Sequence, residues 1–429
     1  MSSPMSPWFS CLRSGRCLRV TDAVEMLVCR VNPVVLVGAP GVGKTSLVRE
    51  AARRYAEERG LVFVDLTSGV VSVDGCKGPL HDVRVRRCLV RLVERDPDRF
   101  MLFYRMVMSH VLPEDLLGVP RVDSETSTVV YHKPLPVHLM TVEGVHGVLF
   151  LDEVSSVARD DVRSLLYAML DERRVGDVVL SSRVFIVASG NRLGDDDSVE
   201  PLPAPIVNRA VVVHVVPPSI EEWGEYMDGR YERWWSDALG YLLLRPSLFQ
   251  GRPARSRLTG YDSFPSPRSW EKLAGEVMVR ACRWNHRRCS LASFVVGRRA
   301  WEEVLRLDKL AARMGIDVGS LADVAVEDLL VSRPGLVVEA PEVAADMVAY
   351  DVIVRGEEGS LDTLADVLAK LRGSRLDVEG VIARIEALMR VSRELGLELA
   401  RRLSERDEGL DRAIRAYIER VVRQGSRPP

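Results

Sequence analysis

The apolar positions along this chain change rhythm once, near Pro217-Pro218. Before that point, short continuous runs rich in Val, Leu, Ile and Phe recur at Pro33 to Val37, Leu61 to Leu66, Phe100 to Met108, Val148 to Leu151, Val184 to Ala188 and Val211 to Val216. Runs of this kind between turn-forming residues read as strands buried on both faces. Helical spacing separates several of them, as in Ser46 to Ala56, and Val20 to Cys29 reads as a short helix ahead of the first strand. Strands alternating with helices predict an α/β fold with a mainly parallel sheet covered on both sides.

Beyond the proline pair the apolar residues recur every three to four positions. Glu221 to Met227, Trp235 to Leu244, Ser269 to Val279 and Arg298 to Arg313 are expected helices. Near the end Val381, Ile385, Leu388, Leu395 and Leu399, then Leu410, Ile414, Tyr417 and Val421, continue the stripe. A helical bundle and a partner-binding arm would both produce it. The expected organisation is a polar tail over 1–19, an α/β core over 20–217, a smaller helical domain over 218–305 and a helical extension over 306–429.

Composition narrows the class. With 429 residues, 47% of them hydrophobic, the chain can bury a sizeable core. No apolar stretch approaches the ~18 residues a membrane span needs, and Met1 to Arg19 lacks a continuous hydrophobic segment, so a cytoplasmic protein is the default expectation. Seven cysteines at irregular spacing read as reduced thiols rather than a disulfide framework. Cys282, His286 and Cys289 have a spacing that could hold a metal, but no fourth ligand accompanies them. Basic residues (59) and acidic residues (61) nearly balance at a net charge of −2, which argues against nucleic acid as a partner. The basic stretches Arg84 to Arg91 and Arg283 to Arg299 read as solvated helix faces. Only two Gln and four Asn occur, a scarcity of thermolabile amides that fits a heat-adapted organism.

Against this background one motif stands out. Gly38-Ala39-Pro40-Gly41-Val42-Gly43-Lys44-Thr45, followed by Ser46, fits G-x-x-x-x-G-K-[ST] between an expected strand and an expected helix. The glycines let backbone N–H groups turn inward around phosphates, and the helix N-terminus adds partial positive charge. Lys44, one of only six lysines, is placed to reach the β- and γ-phosphates of a nucleotide, and Thr45 to hold Mg²⁺. The strand Gly147 to Leu151 ends in Asp152-Glu153, which suits Asp152 to the metal's water shell and Glu153 to polarising an attacking water. The strand at Val184 runs out into Ser189-Gly190-Asn191, where a neutral amide can orient that water. Asn208-Arg209 precedes the last strand, and Arg268 lies early in the helix begun by Pro265-Ser266-Pro267. Either arginine could meet phosphoryl charge.

The order of these elements, with Leu112-Pro113-Glu114-Asp115-Leu116-Leu117-Gly118 between them, resembles an AAA+ ATPase of the MoxR-like, dynein-related group over residues 20 to 305. The resemblance implies Walker A at Gly38 to Thr45, Walker B at Leu149 to Glu153 and sensor 1 at Asn191. It makes Arg209 an arginine finger reaching a neighbouring subunit's ATP, and Arg268 the sensor of a helical lid. It further implies a five-stranded sheet of order 5-1-4-3-2, an insert at Val129 to Met140, a hairpin at Asp171 to Ser182, and a ring, usually hexameric. ATP and Mg²⁺ are the implied cofactors, and a von Willebrand factor A domain protein is an implied partner for chaperone-like remodelling. Val70 to Arg99 lengthens one connection, leaving Leu61 to Leu66 and Phe100 to Met108 as rival candidates for strand 2; the second is favoured because it leads directly into Pro113 to Gly118. A nucleic-acid motor and a slow nucleotide-gated module are the alternative functions.

Overall fold

The computed structural model describes residues 17–18, 33–157, 159–191, 204–251, 254–256, 260–357, 359–372 and 376–425. The helix expected at Val20 to Cys29 lies outside them. The chain divides into two compact units, Arg16–Val216 and Pro217–Pro429.

In the first unit every expected strand forms: β1 (Val34–Val37), β2 (Val62–Asp65), β3 (Phe100–Val107), β4 (His146–Asp152), β5 (Val184–Gly190) and β6 (Val211–Val215). They pair in parallel in the order β6-β1-β5-β4-β3-β2, and the two-residue strand Cys17–Leu18 extends the sheet beyond β6. The expected 5-1-4-3-2 arrangement is therefore present as β6-β1-β5-β4-β3. Phe100 to Met108 supplies its strand 2, whereas Leu61 to Leu66 adds an outer strand.

Alternate residues of these strands feed two cores. On one face Val34, Leu36, Phe103 and Phe150 pack with Leu47, Val48, Ala51 and Tyr55 of helix α1 (Lys44–Glu58). On the other, Val35, Leu102, Leu149 and Leu151 pack with Leu89 and Val93 of α2 (Val83–Arg95) and with Val162 and Leu166 of α3 (Asp160–Glu172). A sheet covered on both sides explains why the strands read as unbroken apolar runs rather than as alternation.

The lengthened connection after β2 is a hairpin, Val70–Val73 with Cys76–Pro79, followed by α2. Further on, the segment Val129 to Met140, where the insert was expected, supplies the second strand of the hairpin Val119–Val122 with Val129–His132 and then the helix Leu135–Met140, and a short hairpin pairs Arg174–Val175 with Val178–Val179 ahead of β5.

Reduced thiols were the expectation from cysteine spacing, and the structure corrects it. Cys76–Cys88 and Cys282–Cys289 are disulfides, with Cα separations of 5.8 and 5.2 Å. The hairpin folds Cys76 back onto the second turn of α2, a proximity that linear spacing does not reveal. The second bridge also disposes of the Cys282/His286/Cys289 metal reading, because the thiols are spent on each other. His286 Nε2 instead lies 3.3 Å from both Asp308 Oδ1 and the Tyr241 hydroxyl.

The second unit is helical around one core that runs from Ile220 to Tyr417. Helix Arg298–Met314 buries Trp301, Val304 and Leu307 in it, so segments 218–305 and 306–429 share a single interior. The terminal stripe packs inward: Val381, Ile385, Leu388, Leu399 and Leu410 are fully buried. Among the described residues no helix is long and apolar enough to cross a membrane.

A polar clasp joins the first helix of this unit, Ile220–Arg230, to the helix Pro341–Tyr350 and the π-helical turn after it. The Tyr350 hydroxyl donates to Glu221 and accepts from the Ile220 N–H at 2.7 Å, while Arg355 Nε donates to Glu221 at 2.8 Å. Burial pushes the Glu221 carboxyl up, but the Tyr350 and Arg355 donors outweigh it and hold the group below its ordinary value. A lowered folded-state pKa stabilises above the unfolded value and is lost as pH falls through the folded one. Glu221→Gln should therefore lower the thermal midpoint at pH 7, and calorimetry should show the difference from wild type shrinking below about pH 4.

Candidate functional site

The carboxyl ends of β1, β5 and β4 lie side by side, the position in open parallel sheets where ligands bind. Chain leaving β1 forms the loop Gly38 to Gly43 and turns directly into α1. Gly38 is held by its N–H to the Gly190 carbonyl (3.2 Å), and a Cβ there would lie 2.9 Å from the Val215 carbonyl oxygen, so the close approach of β6 requires glycine. Gly43 caps α1 in the left-handed region at φ 98°, with no side chain bonding the helix's first N–H groups. Those N–H groups, with the helix dipole behind them, form a ready anion cradle.

Lys44 is buried and aimed into this loop. Its Nζ donates to the carbonyls of Gly38 (2.7 Å) and Ala39 (3.2 Å) and to Asn191 Oδ1 (3.0 Å). The Thr45 hydroxyl donates to Asp152 Oδ2 at 3.1 Å. Loop, Lys44, Thr45, Asp152 and Asn191 thus form one hydrogen-bonded group, although Lys44 and Asn191 are 147 positions apart in sequence. Ser46 comes next, on the exposed side of the first turn.

Asp152, 6% exposed, is the hub. Arg105 Nε on β3 donates to its Oδ2 at 2.7 Å, and the Ser189 hydroxyl on β5 donates to its Oδ1. Glu153 stands next to it in a left-handed conformation (φ 60°), which turns its side chain out of the strand and into solvent, where Ser109 donates to it. The Ser155 hydroxyl accepts from the Asn191 N–H at 3.1 Å. Arg105, Ser109 and Ser155 were not singled out from the sequence. Only Arg105 carried a signal, as the one charge inside the apolar run Phe100 to Val107.

The remaining candidates lie on other elements. Arg209 closes the short helix α4 (Ala204–Arg209), and its Nε makes an exposed ion pair with Asp171 at 2.8 Å. Arg268 is exposed in the first turn of Pro267–Glu271, in the helical unit.

The donor set fits a magnesium nucleotide: an anion cradle, a lysine within it, a hydroxyl and a carboxylate meeting at one point for a hard cation, and a second carboxylate facing solvent. Among the described residues no cluster of His, Cys, Asp and Glu suggests any other metal centre.

No family model and no curated protein matches this chain. Among solved structures, a candidate ATPase from Cytophaga hutchinsonii aligns at 18% identity over 52% of this chain and 56% of its own, with a TM-score of 0.28. NtrX from Brucella abortus aligns at 13% identity over 82% of this chain and 65% of its own, with a TM-score of 0.32. The alignments thus span less than two thirds of either solved chain.

Two substitutions separate the hub from its neighbour. Asp152→Ala leaves Arg105 and Ser189 without their acceptor and should destabilise the protein by about 1–3 kcal/mol. Glu153→Ala removes an exposed side chain and should stay within about 0.5 kcal/mol of wild type. Urea unfolding of the two variants checks the contrast.

Proposed function

We propose that this chain is a Mg²⁺-dependent ATPase of the AAA+ class, resembling the MoxR-like group, that works as a ring and remodels a protein partner. One observation carries the reading: Lys44 bonds Asn191, and Thr45 bonds Asp152, at the carboxyl ends of adjacent parallel strands. A phosphate loop without a working site needs no such convergence.

Lys44, the loop N–H groups and the N-terminus of α1 would bind and orient the phosphates. Thr45 and Asp152 would hold Mg²⁺, which when bound neutralises phosphate charge. Glu153 faces solvent with a carboxylate free to accept a proton from water, while Ser109 steadies it. Asn191, fixed through Ser155 and Lys44, presents an amide that can orient that water.

Arg209 is proposed as the residue that completes a neighbouring copy's site. Its ion pair with Asp171 is exposed, with side chains 39% and 50% accessible, so it can be exchanged for a stronger anion at modest cost. Arg268 is proposed to report nucleotide state to the helical unit. A ring of six and a von Willebrand factor A domain protein as client come from the family resemblance.

The test is the rate of Mg²⁺-ATP hydrolysis per subunit across a range of protein concentrations, with Glu153→Gln as the blank. The expected result is a rate that rises with concentration, because the site is completed between copies. No rate above the blank would overturn the ATPase reading, and a rate independent of concentration would overturn the ring. Lys44→Ala should abolish nucleotide binding in calorimetric titration, whereas Glu153→Gln should bind and not hydrolyse. Arg209→Ala should bind normally and lose about 10³-fold or more in turnover.

A further inference from the structure

Helix α2 displays an arginine stripe that no chemistry of the nucleotide site uses. Arg84, Arg87, Arg91 and Arg95 fall at i, i+3, i+7 and i+11, which places them in one row on the side opposite Val85, Leu89 and Val93. All four are exposed, and among the described residues none has a carboxylate partner. Arg86 belongs to another side of the helix, where its Nε donates to the Leu80 carbonyl at 2.6 Å.

On two other helices such arginines are neutralised. On α1, Arg53 and Arg54 bond Glu50, and Arg53 also bonds Glu57; on helix Arg393–Arg406, Arg401 and Arg402 both bond Glu398. In α2 the sole acidic residue is Glu94, and it turns toward His138 at 3.5 Å. Like charges three and four apart repel, so α2 carries an unfavourable row that no ion pair within its own helix neutralises among the described residues. The row is rigidly presented: Leu89 and Val93 are fully buried beneath it, and the Cys76–Cys88 disulfide fastens the helix to its hairpin.

We infer that this face of α2 binds the phosphate backbone of double-stranded nucleic acid. Eleven residues at a rise of about 1.5 Å give a row about 16 Å long. A duplex carries one negative charge every ~1.7 Å of its axis with both strands counted, so about ten phosphates lie along that length and the row meets those on its side. The guanidinium groups suit phosphate oxygens. The helix has no aromatic residue on which a base could stack, and no Asn or Gln to read a base edge, which favours a duplex over a single strand and shape over sequence. The inference stands independently of the proposed ATPase cycle.

The experiment is a fluorescence-anisotropy titration of the full chain, without nucleotide, against a labelled mixed-sequence duplex at about 50 to 200 mM salt. Wild type should lose affinity about a hundredfold across that range, from a logarithmic salt slope of about −3 to −4. Replacing all four with glutamine (R84Q, R87Q, R91Q and R95Q together) should weaken binding more than tenfold at the lower salt and flatten the slope, with circular dichroism unchanged. Arg91→Gln alone should reduce the slope by about 1. No binding by wild type, or equal binding by the fourfold variant, would overturn the inference. So would tighter binding to poly-glutamate of matched charge, which would mark the row as a dock for an acidic protein.

Discussion

A carboxylate at the buried end of a parallel strand is tolerated only where donors converge on it, and Asp152 is met by four: the Thr45 hydroxyl, Arg105 Nε, the Ser189 hydroxyl and the N–H of Glu153. These come from the first turn of α1, from β3, from β5 and from the residue after β4. The hub therefore exists only because β3, β4, β5 and β1 are neighbours in the right register. A slip of one residue in β4 would turn Asp152 to the opposite face of the sheet and scatter its partners. The two apolar layers that fix this register, one under α1 and one under α2 and α3, are the scaffold of the site.

Much of this was legible in the sequence because it is local. An apolar run with a glycine-rich turn and a helical repeat after it specifies β1, the loop and α1 without reference to the rest of the chain, and the same holds for a run ending in Asp152-Glu153. Pairing is not local. The runs at β2 and β3 are both apolar and both form strands, and only contact with β4 makes β3 the partner of the acidic pair. In the sequence, only the nearness of β3 to Pro113 to Gly118 distinguishes the two runs, not any property of the strand itself. Arg105 was overlooked for a related reason, since a charge inside a buried run makes sense only once Asp152 is seen beside it. The cysteines show the limit of spacing most clearly, because Cys76 and Cys88 are brought together by a hairpin and a helical turn.

Net charge concealed a local asymmetry. Near balance over 429 residues averages helices whose arginines are paired with glutamates, such as Arg401 and Arg402 with Glu398, with α2, where the arginine row has no carboxylate partner among the described residues. The disulfides bear on the same question of averages. The bridges Cys76–Cys88 and Cys282–Cys289 and a scarcity of Asn and Gln are features that resist heat, and disulfide-rich proteins occur inside hyperthermophilic cells as well as in oxidising compartments.

The shared interior of the helical unit limits how the chain can be divided. Trp301, Val304 and Leu307 lie on the same helix, inside a continuous core that extends to Leu410, Ile414 and Tyr417. A fragment ending near residue 305 would cut that helix and leave a broad apolar face to solvent, inviting aggregation rather than yielding a minimal enzyme. The smallest autonomous piece that keeps the helical unit intact thus reaches past Tyr417.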